Sequence, residues 1–289
     1  MAKSALLKSS LVKKYWMALT GLFLCVFLIG HLAGNLQLIY GTSLQFNQYA
    51  LFMTSNPFVK VLSYLTYLSI IFHAVDGILL TVQNRKARPV RYTKENAAAN
   101  TRWASRNMAV LGTLILVFIA SHMTHFWAKM HFSEMPLQQQ EMTLSPMPGM
   151  EINAQAINTT TGDYIYKIVE EEKETYVASG QGELELRNNT EFYGKENGLK
   201  VAEGYKDLYK ITVDFFQDEK SGLWFTLFYV ICMGVLAFHL YHGFASAFQS
   251  LGLNHPKYNG IIKKTGTAFA IIVPLLFAII PIYIHFFLK

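Results

Sequence analysis

Five stretches of the chain are almost continuously apolar. They run over about residues 15–40, 58–83, 105–131, 222–250 and 263–287. A helix needs about 20 mostly apolar residues to cross hydrocarbon, so each stretch predicts a transmembrane helix, here spans 1 to 5. Span 1 is too long and too late for a signal peptide, and no small-residue cleavage site follows it. Tyr15, Trp16, Trp103, Trp127 and Trp224 sit at predicted span ends, where amphipathic rings favour the interface. Asn56-Pro57 breaks the chain before span 2, and Pro274 and Pro281 predict bends in span 5.

Between spans 3 and 4 the pattern changes. Residues 132–221 are polar, with a Met/Gln/Pro-rich start that reads as irregular. Weak alternation over Tyr164–Val169 and Glu183–Leu186 predicts short strands. The expected fold is an all-α integral membrane protein, a five-transmembrane-helix bundle with an acidic extracytoplasmic insert between helices 3 and 4. Its segments are 1–131, 132–221 and 222–289. Asn158-Thr159-Thr160 and Asn188-Asn189-Thr190 match the glycosylation pattern, which carries no meaning in a bacterial chain.

Composition sharpens this picture. The chain has 289 residues, of which 52% are hydrophobic and only 15% charged, against about 25% charged in soluble proteins. Of its 19 acidic residues, 17 fall in 132–221, which carries a net −9 while the rest carries +15. The basic residues flank apolar spans, so membrane topology explains them and nucleic-acid binding does not. Cys25 and Cys232 lie inside apolar runs. That excludes a disulfide scaffold, a CxxC zinc site and a cysteine-ligated iron–sulfur cluster.

Lysine and arginine set the direction. Lys3, Lys8, Lys13 and Lys14 precede span 1. Arg85, Lys86, Arg88, Arg91, Lys94, Arg102 and Arg106 follow span 2, and Lys257, Lys263 and Lys264 follow span 4. These 14 charges share one side, expected to be cytoplasmic. The other side holds Lys60, Lys129, Lys289 and the insert. The N-terminus is therefore expected inside and the C-terminus outside, in the cytoplasmic membrane of a bacterium.

Ionisable groups within spans are costly and usually functional. Four of the nine histidines, His31, His73, His122 and His239, lie in four different spans, as the 17th, 16th, 18th and 18th residues counted from the predicted starts. Because the spans alternate in direction, His31 and His122 share an outer layer, and His73 and His239 an inner one. Two pairs at two depths are what bis-histidine ligation of two stacked b haems requires. Gly30, Gly34, Ala74, Gly77 and Gly243 flank the candidates and could allow close approach. Competing roles are packing and a proton relay, although Asp76 is the only carboxylate within any span. Asp76, three residues after His73, suits proton uptake, a bond to an imidazole, or simply an acid facing the bundle. His125 and His242 follow at i+3 on similar helix faces, so spacing alone leaves them open as ligands. Arg85–Arg106 could clamp haem propionates or dock an acidic partner, but topology alone accounts for it. His131, His255 and His285 lie at or beyond span ends.

Phe27–Asn35, Ile71–Gly77, Val117–His122 and Phe238–Gly243 resemble the haem-bearing helices of a known family. It is the single-subunit di-haem cytochrome b558-type membrane anchor of succinate dehydrogenase and fumarate reductase, the succinate:quinone oxidoreductases. The likeness spans all five helices and about two-thirds of the chain. It selects His122 over His125 and His239 over His242. It implies two haem b: a proximal one on His73 and His239, and a distal one on His31 and His122. A partner flavoprotein subunit would hold the dicarboxylate site. An iron–sulfur subunit would pass electrons through the haems to a quinone, usually menaquinone.

Three features depart from the family pattern. The 90-residue insert exceeds the short connection of the simplest members. Position 237 is Ala where some fumarate reducers carry glutamate, and 41–57 holds no acid, which favours succinate oxidation. Asn35, Gln37 and Gln48 are only polar candidates for a quinone site. Rival readings are the di-haem cytochrome b of another respiratory enzyme, such as a hydrogenase or formate dehydrogenase, and a haem-free proton-coupled transporter.

Overall fold

The computed structural model describes residues 9–87, 89–90, 96, 99, 101–147, 150–170, 173–180 and 182–288. Lys3, Lys8, Arg88, Arg91, Lys94 and Lys289, counted above for orientation, lie outside the described residues. The chain is mostly helical, at 68%, and among the described residues five helices are long and apolar enough to cross a membrane. They are span 1 (Ser10–Tyr40), span 2 (Pro57–Ala87), span 3 (Met108–Phe132), span 4 (Gly222–Ser250) and span 5 (Pro256–Phe286). The expected all-α class needs correcting, because the polar segment is a seven-stranded sheet.

Two compact units divide the chain: residues 1–39, 57–123 and 216–289, and residues 40–56 and 124–215. The second is larger than the expected insert, since the first inter-span loop belongs to it.

In the first unit, spans 1 to 4 pack around a square. Contacts join span 1 to 2, 2 to 3, 3 to 4 and 4 back to 1, sparsest between 2 and 3, and span 5 packs against spans 4 and 1. The apolar residues point both ways. Val26, Ile71, Val117 and Ile231 are exposed on the bundle's outside, while Cys25, Leu240 and Ala270 form a buried cluster. Span 5 fits closely because Gly266, Ala270, Pro274 and Ala278 recur every four residues on its buried side. A Cβ on Gly266 would lie 2.7 Å from the Phe244 ring. Span 5 starts earlier than hydropathy predicts. His255 caps it through Lys257 N, and Pro256 occupies the first turn, where the missing N–H costs nothing. Its far end is held by Gln217, whose Nε2 donates to the carbonyls of Ile284 and Leu288 at 2.9 and 2.6 Å.

The second unit is built on strands β1 (Gln139–Met147), β2 (Met150–Asn158), β3 (Tyr164–Glu170), β4 (Lys173–Ala178), β5 (Gly182–Arg187), β6 (Glu191–Gly194) and β7 (Lys200–Glu203). They form an antiparallel meander in sequence order. β1 occupies the stretch expected to be irregular. Its methionines and glutamines hid a ladder that runs from Gln139 opposite Ile157 to Leu144 opposite Ile152. The sheet curls back on itself: Thr160 N donates to Glu203 O, Tyr205 N to Asn158 O, and Gln138 N to Tyr205 O. Inside lie Ile157, Ile165, Leu184, Phe192 and Ala202, supplied by alternate positions of facing strands.

The two glycosylation matches acquire structural explanations. Asn188 (φ 51°) and Asn189 (φ 60°) turn the chain between β5 and β6 in the left-handed region, which asparagine tolerates. Asn158 is buried at the end of β2.

Helix α1 (Ser43–Ser55) opens with a capping box between Thr42 and Gln45. Helix α2 (Leu208–Gln217) is capped by Asp207, which accepts from Lys210 N at 3.0 Å. Asn47 of α1 is 1% exposed; its Nδ2 donates to Asp207 Oδ1 at 2.8 Å and its Oδ1 accepts from Tyr209 N at 2.9 Å. That side chain pins the inter-span loop to the β-domain. Near it, burial and the neighbouring Tyr40 raise the Tyr49 hydroxyl above its ordinary pKa.

Candidate functional site

The square of spans 1 to 4 has two diagonals, and an imidazole pair crosses each. The rings of His31 and His122 lie 5.9 Å apart between centroids, from span 1 to span 3. Those of His73 and His239 lie 6.1 Å apart, from span 2 to span 4. Interplanar angles of 87° and 64° show that neither pair stacks face to face.

The pairs form two layers. His73 sits at the level of Met17, Thr20 and Gly21 of span 1. His31 lies ten residues beyond Gly21, about 15 Å along a helix rising 1.5 Å per residue. Span 3 gives the same spacing independently. Gly112 faces His239, and His122 lies ten residues further on.

Each imidazole has its own surroundings. His73 Nδ1 lies 3.1 Å from Met17 O, with Thr20 Oγ1 at 3.4 Å. A carbonyl partner makes Nδ1 the protonated nitrogen and leaves Nε2 with its lone pair. His239 Nδ1 is buried and meets no partner among the described residues. His122 Nδ1 is 3.5 Å from the Tyr229 hydroxyl. Asn35 Nδ2 donates to the carbonyl of His31 at 2.8 Å and only approaches its Nδ1, at 3.5 Å. Aromatic rings flank the second layer: Phe27 stacks on His31 at 5.2 Å, Phe118 on His122 at 5.8 Å, and Phe277 lies 5.7 Å from His31.

A π-helical turn, Met123–Ala128, follows directly after His122, a distortion frequent at functional sites. It carries His125, whose ring lies 4.7 Å from that of Phe215, tilted by 40°, within the second unit. His242 Nε2 lies 3.3 Å from Ser246 Oγ. The rings that meet across the diagonals are thus His122 and His239, the choice that spacing left open. His285 Nδ1 lies 2.6 Å from Phe216 O, and His131 Nδ1 lies 2.8 Å from Trp127 O.

Other sequence candidates fare differently. Asp76 is half-buried one turn from His73. Arg102 Nη1 donates to the Tyr241 hydroxyl at 2.6 Å, and its guanidinium lies 5.3 Å from that ring's centre. Tyr241 is two residues past His239, about 200° around the helix, so Arg102 serves the face away from the imidazole pair. Arg106 Nη1 bonds the Thr101 carbonyl. Gln48 is exposed, and Asn35 and Gln37 are half-buried. Of the flanking glycines, a Cβ on Gly30, Gly77 or Gly243 would meet nothing within 4 Å. The glycines that do face imidazoles, Gly21 and Gly112, lie a full span-half away in sequence from the nearest histidine and were missed for that reason.

No group of three or more His, Cys, Asp or Glu gathers among the described residues. A metal held by one such pair would have to bring its remaining ligands with it, as a porphyrin does. Two imidazoles bonded to opposite sides of one metal hold their centroids about 6 Å apart, given metal–nitrogen bonds of roughly 2 Å. The observed 5.9 and 6.1 Å meet that requirement. No family model matches the chain, and neither a curated relative nor a solved structure does.

Proposed function

We propose that the chain is the membrane-anchoring di-haem cytochrome b subunit of a succinate:quinone oxidoreductase. In this reading His73 and His239 would hold the proximal haem b, and His31 and His122 the distal one. The two groups would carry electrons from an iron–sulfur subunit, fed by a flavoprotein that oxidises succinate, to menaquinone. The single observation that carries the haem reading is the crossing of both diagonals by imidazole pairs about 6 Å apart. The succinate:quinone assignment rests on the sequence resemblance.

Haem would supply one-electron redox chemistry at each layer. The chain's own residues do the rest. Met17 O holds the His73 tautomer with Nε2 available for the metal. Phe27 and Phe118 back the second-layer rings and limit water there. The bias of lysines and arginines next to the spans supports an orientation with the N-terminus in the cytoplasm and the C-terminus outside. The proximal layer then faces the cytoplasm, where the catalytic partners would dock.

The test is to purify the full chain with its copurifying proteins and quantify haem as pyridine haemochrome, adding succinate before dithionite. Two b haems per chain, at least one reduced by succinate, are expected, with a flavoprotein present. His31→Ala and His122→Ala should each leave one haem, and His73→Ala and His239→Ala should each leave the other. Two haems reduced by hydrogen or formate instead would reassign the partner enzyme. A well-folded chain without haem would turn the four histidines into a relay or packing network.

A further inference from the structure

The two diagonal pairs repeat one local design. Residues 20–31 of span 1 align with 111–122 of span 3 without a gap, and Gly21, Val26, Phe27 and His31 recur as Gly112, Val117, Phe118 and His122. Spans 2 and 4 repeat as well, with Phe72, His73 and Gly77 recurring as Phe238, His239 and Gly243. The contacts recur with the residues. In each copy the phenylalanine stacks on the histidine four residues later, at interplanar angles of 18° and 29°. In each copy the glycine faces the imidazole of the following span: Gly21 faces His73, and Gly112 faces His239.

We propose that spans 1–2 and spans 3–4 are two copies of one hairpin related by a two-fold axis along the bundle. We further propose that Gly21 and Gly112 are positioning residues that make room for the His73–His239 pair around a planar tetrapyrrole. This rests on the haem reading above. Each histidine pair takes one imidazole from each copy, which puts the axis between the two rings, where a shared metal belongs. The first layer then draws on all four spans. The first layer takes its ligands from spans 2 and 4 and its clearance from spans 1 and 3; the second takes its ligands from spans 1 and 3.

The copies are not equally tight. A Cβ on Gly21 would lie 3.0 Å from His73 Cε1 and 3.4 Å from its Nδ1. That ring cannot yield freely, because its Nδ1 is held by Met17 O at 3.1 Å on the same helix. A Cβ on Gly112 would lie 3.6 Å from His239 Cε1, an ordinary contact, and His239 Nδ1 has no partner to anchor it among the described residues. Alanine is therefore expected to disturb the first site and not the second, whereas valine, with two further methyls, disturbs both.

The experiment uses the full chain in detergent, with haem counted as pyridine haemochrome and both midpoint potentials taken by redox titration. Gly21→Val and Gly112→Val should each fall from two haems to one. Gly21→Ala should keep two haems with one potential shifted or lose one in part, and Gly112→Ala should match the wild type. Gly234→Val, on an exposed face where an added Cβ meets nothing, should keep two. Retention of one haem in the valine variants is itself the sign that the bundle has folded. Gly21→Val combined with His31→Ala should hold none, which assigns the loss to the His73–His239 layer. Two haems at unchanged potentials in both valine variants, with two in the wild type, would overturn this inference and leave the haem reading standing. A folded wild-type chain with no haem would overturn both.

Discussion

The bundle and the β-domain use apolar residues in opposite ways. In the β-domain they fill the interior: Phe192 is 0% exposed and Ile157 and Ile165 are 1% exposed, while charged pairs such as Lys195–Glu183 and Arg187–Glu185 lie outside. In the bundle, apolar side chains face outward on every span, and the diagonals are crossed by imidazoles. Burial of oily surface specifies the first interior, as in any water-soluble domain. It cannot specify the second, because lipid is as apolar as leucine and gives helices no hydrophobic reason to associate. What remains is close fit, as along the Gly266–Ala278 stripe of span 5, and polar groups that need partners. A bundle built so can keep a polar interior for a ligand, whereas the β-domain cannot without losing its core.

The sharpest way to break this comparison is to empty the β-domain. Phe192→Ala removes a fully buried ring from the cluster of Ile157, Ile165 and Leu184, and such truncations cost about 3–5 kcal/mol. Hydrogen exchange on the full chain should show strands β2 to β7 losing protection, with the five spans keeping theirs. A parallel loss of protection in the spans would break the comparison, since the bundle would then depend on the same buried ring.

A smaller effect tests the loop that joins the β-domain from elsewhere in the sequence. Asn47→Ala leaves the buried Asp207 carboxylate and Tyr209 N each without one partner, at a cost of about 1–3 kcal/mol. Exchange should rise at α1 and at the first turn of α2, and little at the Phe192 cluster. Protection lost uniformly through the sheet would show that α1 is part of the core rather than an attachment to it.

What the sequence disclosed follows the same division. The spans were legible because bilayer crossing demands long apolar runs, and only their polar ends were misjudged. Span 5 begins at Pro256 rather than near 263 because Lys257, Lys263 and Lys264 lower the hydropathy of a stretch that is helical all the same. The histidine pairs were legible because an imidazole in a span is rare enough to stand out. Their second partners were not: Met17 contributes a backbone carbonyl, and Gly21 and Gly112 contribute an absent side chain, neither of which has a compositional signature. In the polar segment, Tyr164–Val169 and Glu183–Leu186 alternate and were read as strands. β1 was not, since Gln139, Gln140, Glu141 and Thr143 offer no apolar period and Pro146 argues against a ladder. Helix α2 went unread because the polar composition of the whole segment masked its short apolar stripe.

The smallest expected effect concerns the charged exterior of the β-domain. Lys167 and Glu174 pair across β3 and β4 at 2.5 Å, and Tyr176 donates to the same carboxylate at 3.0 Å. The Lys167 bond, then the Tyr176 bond, hold Glu174 below its ordinary pKa of 4.5. Burial, then the Glu174 bond, push the Tyr176 hydroxyl up to about 12. A carboxylate lowered on folding contributes its full stabilisation above the ordinary value and loses it as pH falls through the folded one. The Glu174 contribution should therefore be lost only below pH 4.5, and it is small, since partly exposed pairs are worth under about 1 kcal/mol. Glu174→Gln should flatten that part of the acid profile, read as tyrosine fluorescence or exchange at β3 and β4, without moving stability near neutrality by more than that amount. A large loss at neutral pH would mean that the exterior charges organise the β-domain as much as Phe192 does, and the contrast between a filled interior and a dispensable surface would not hold.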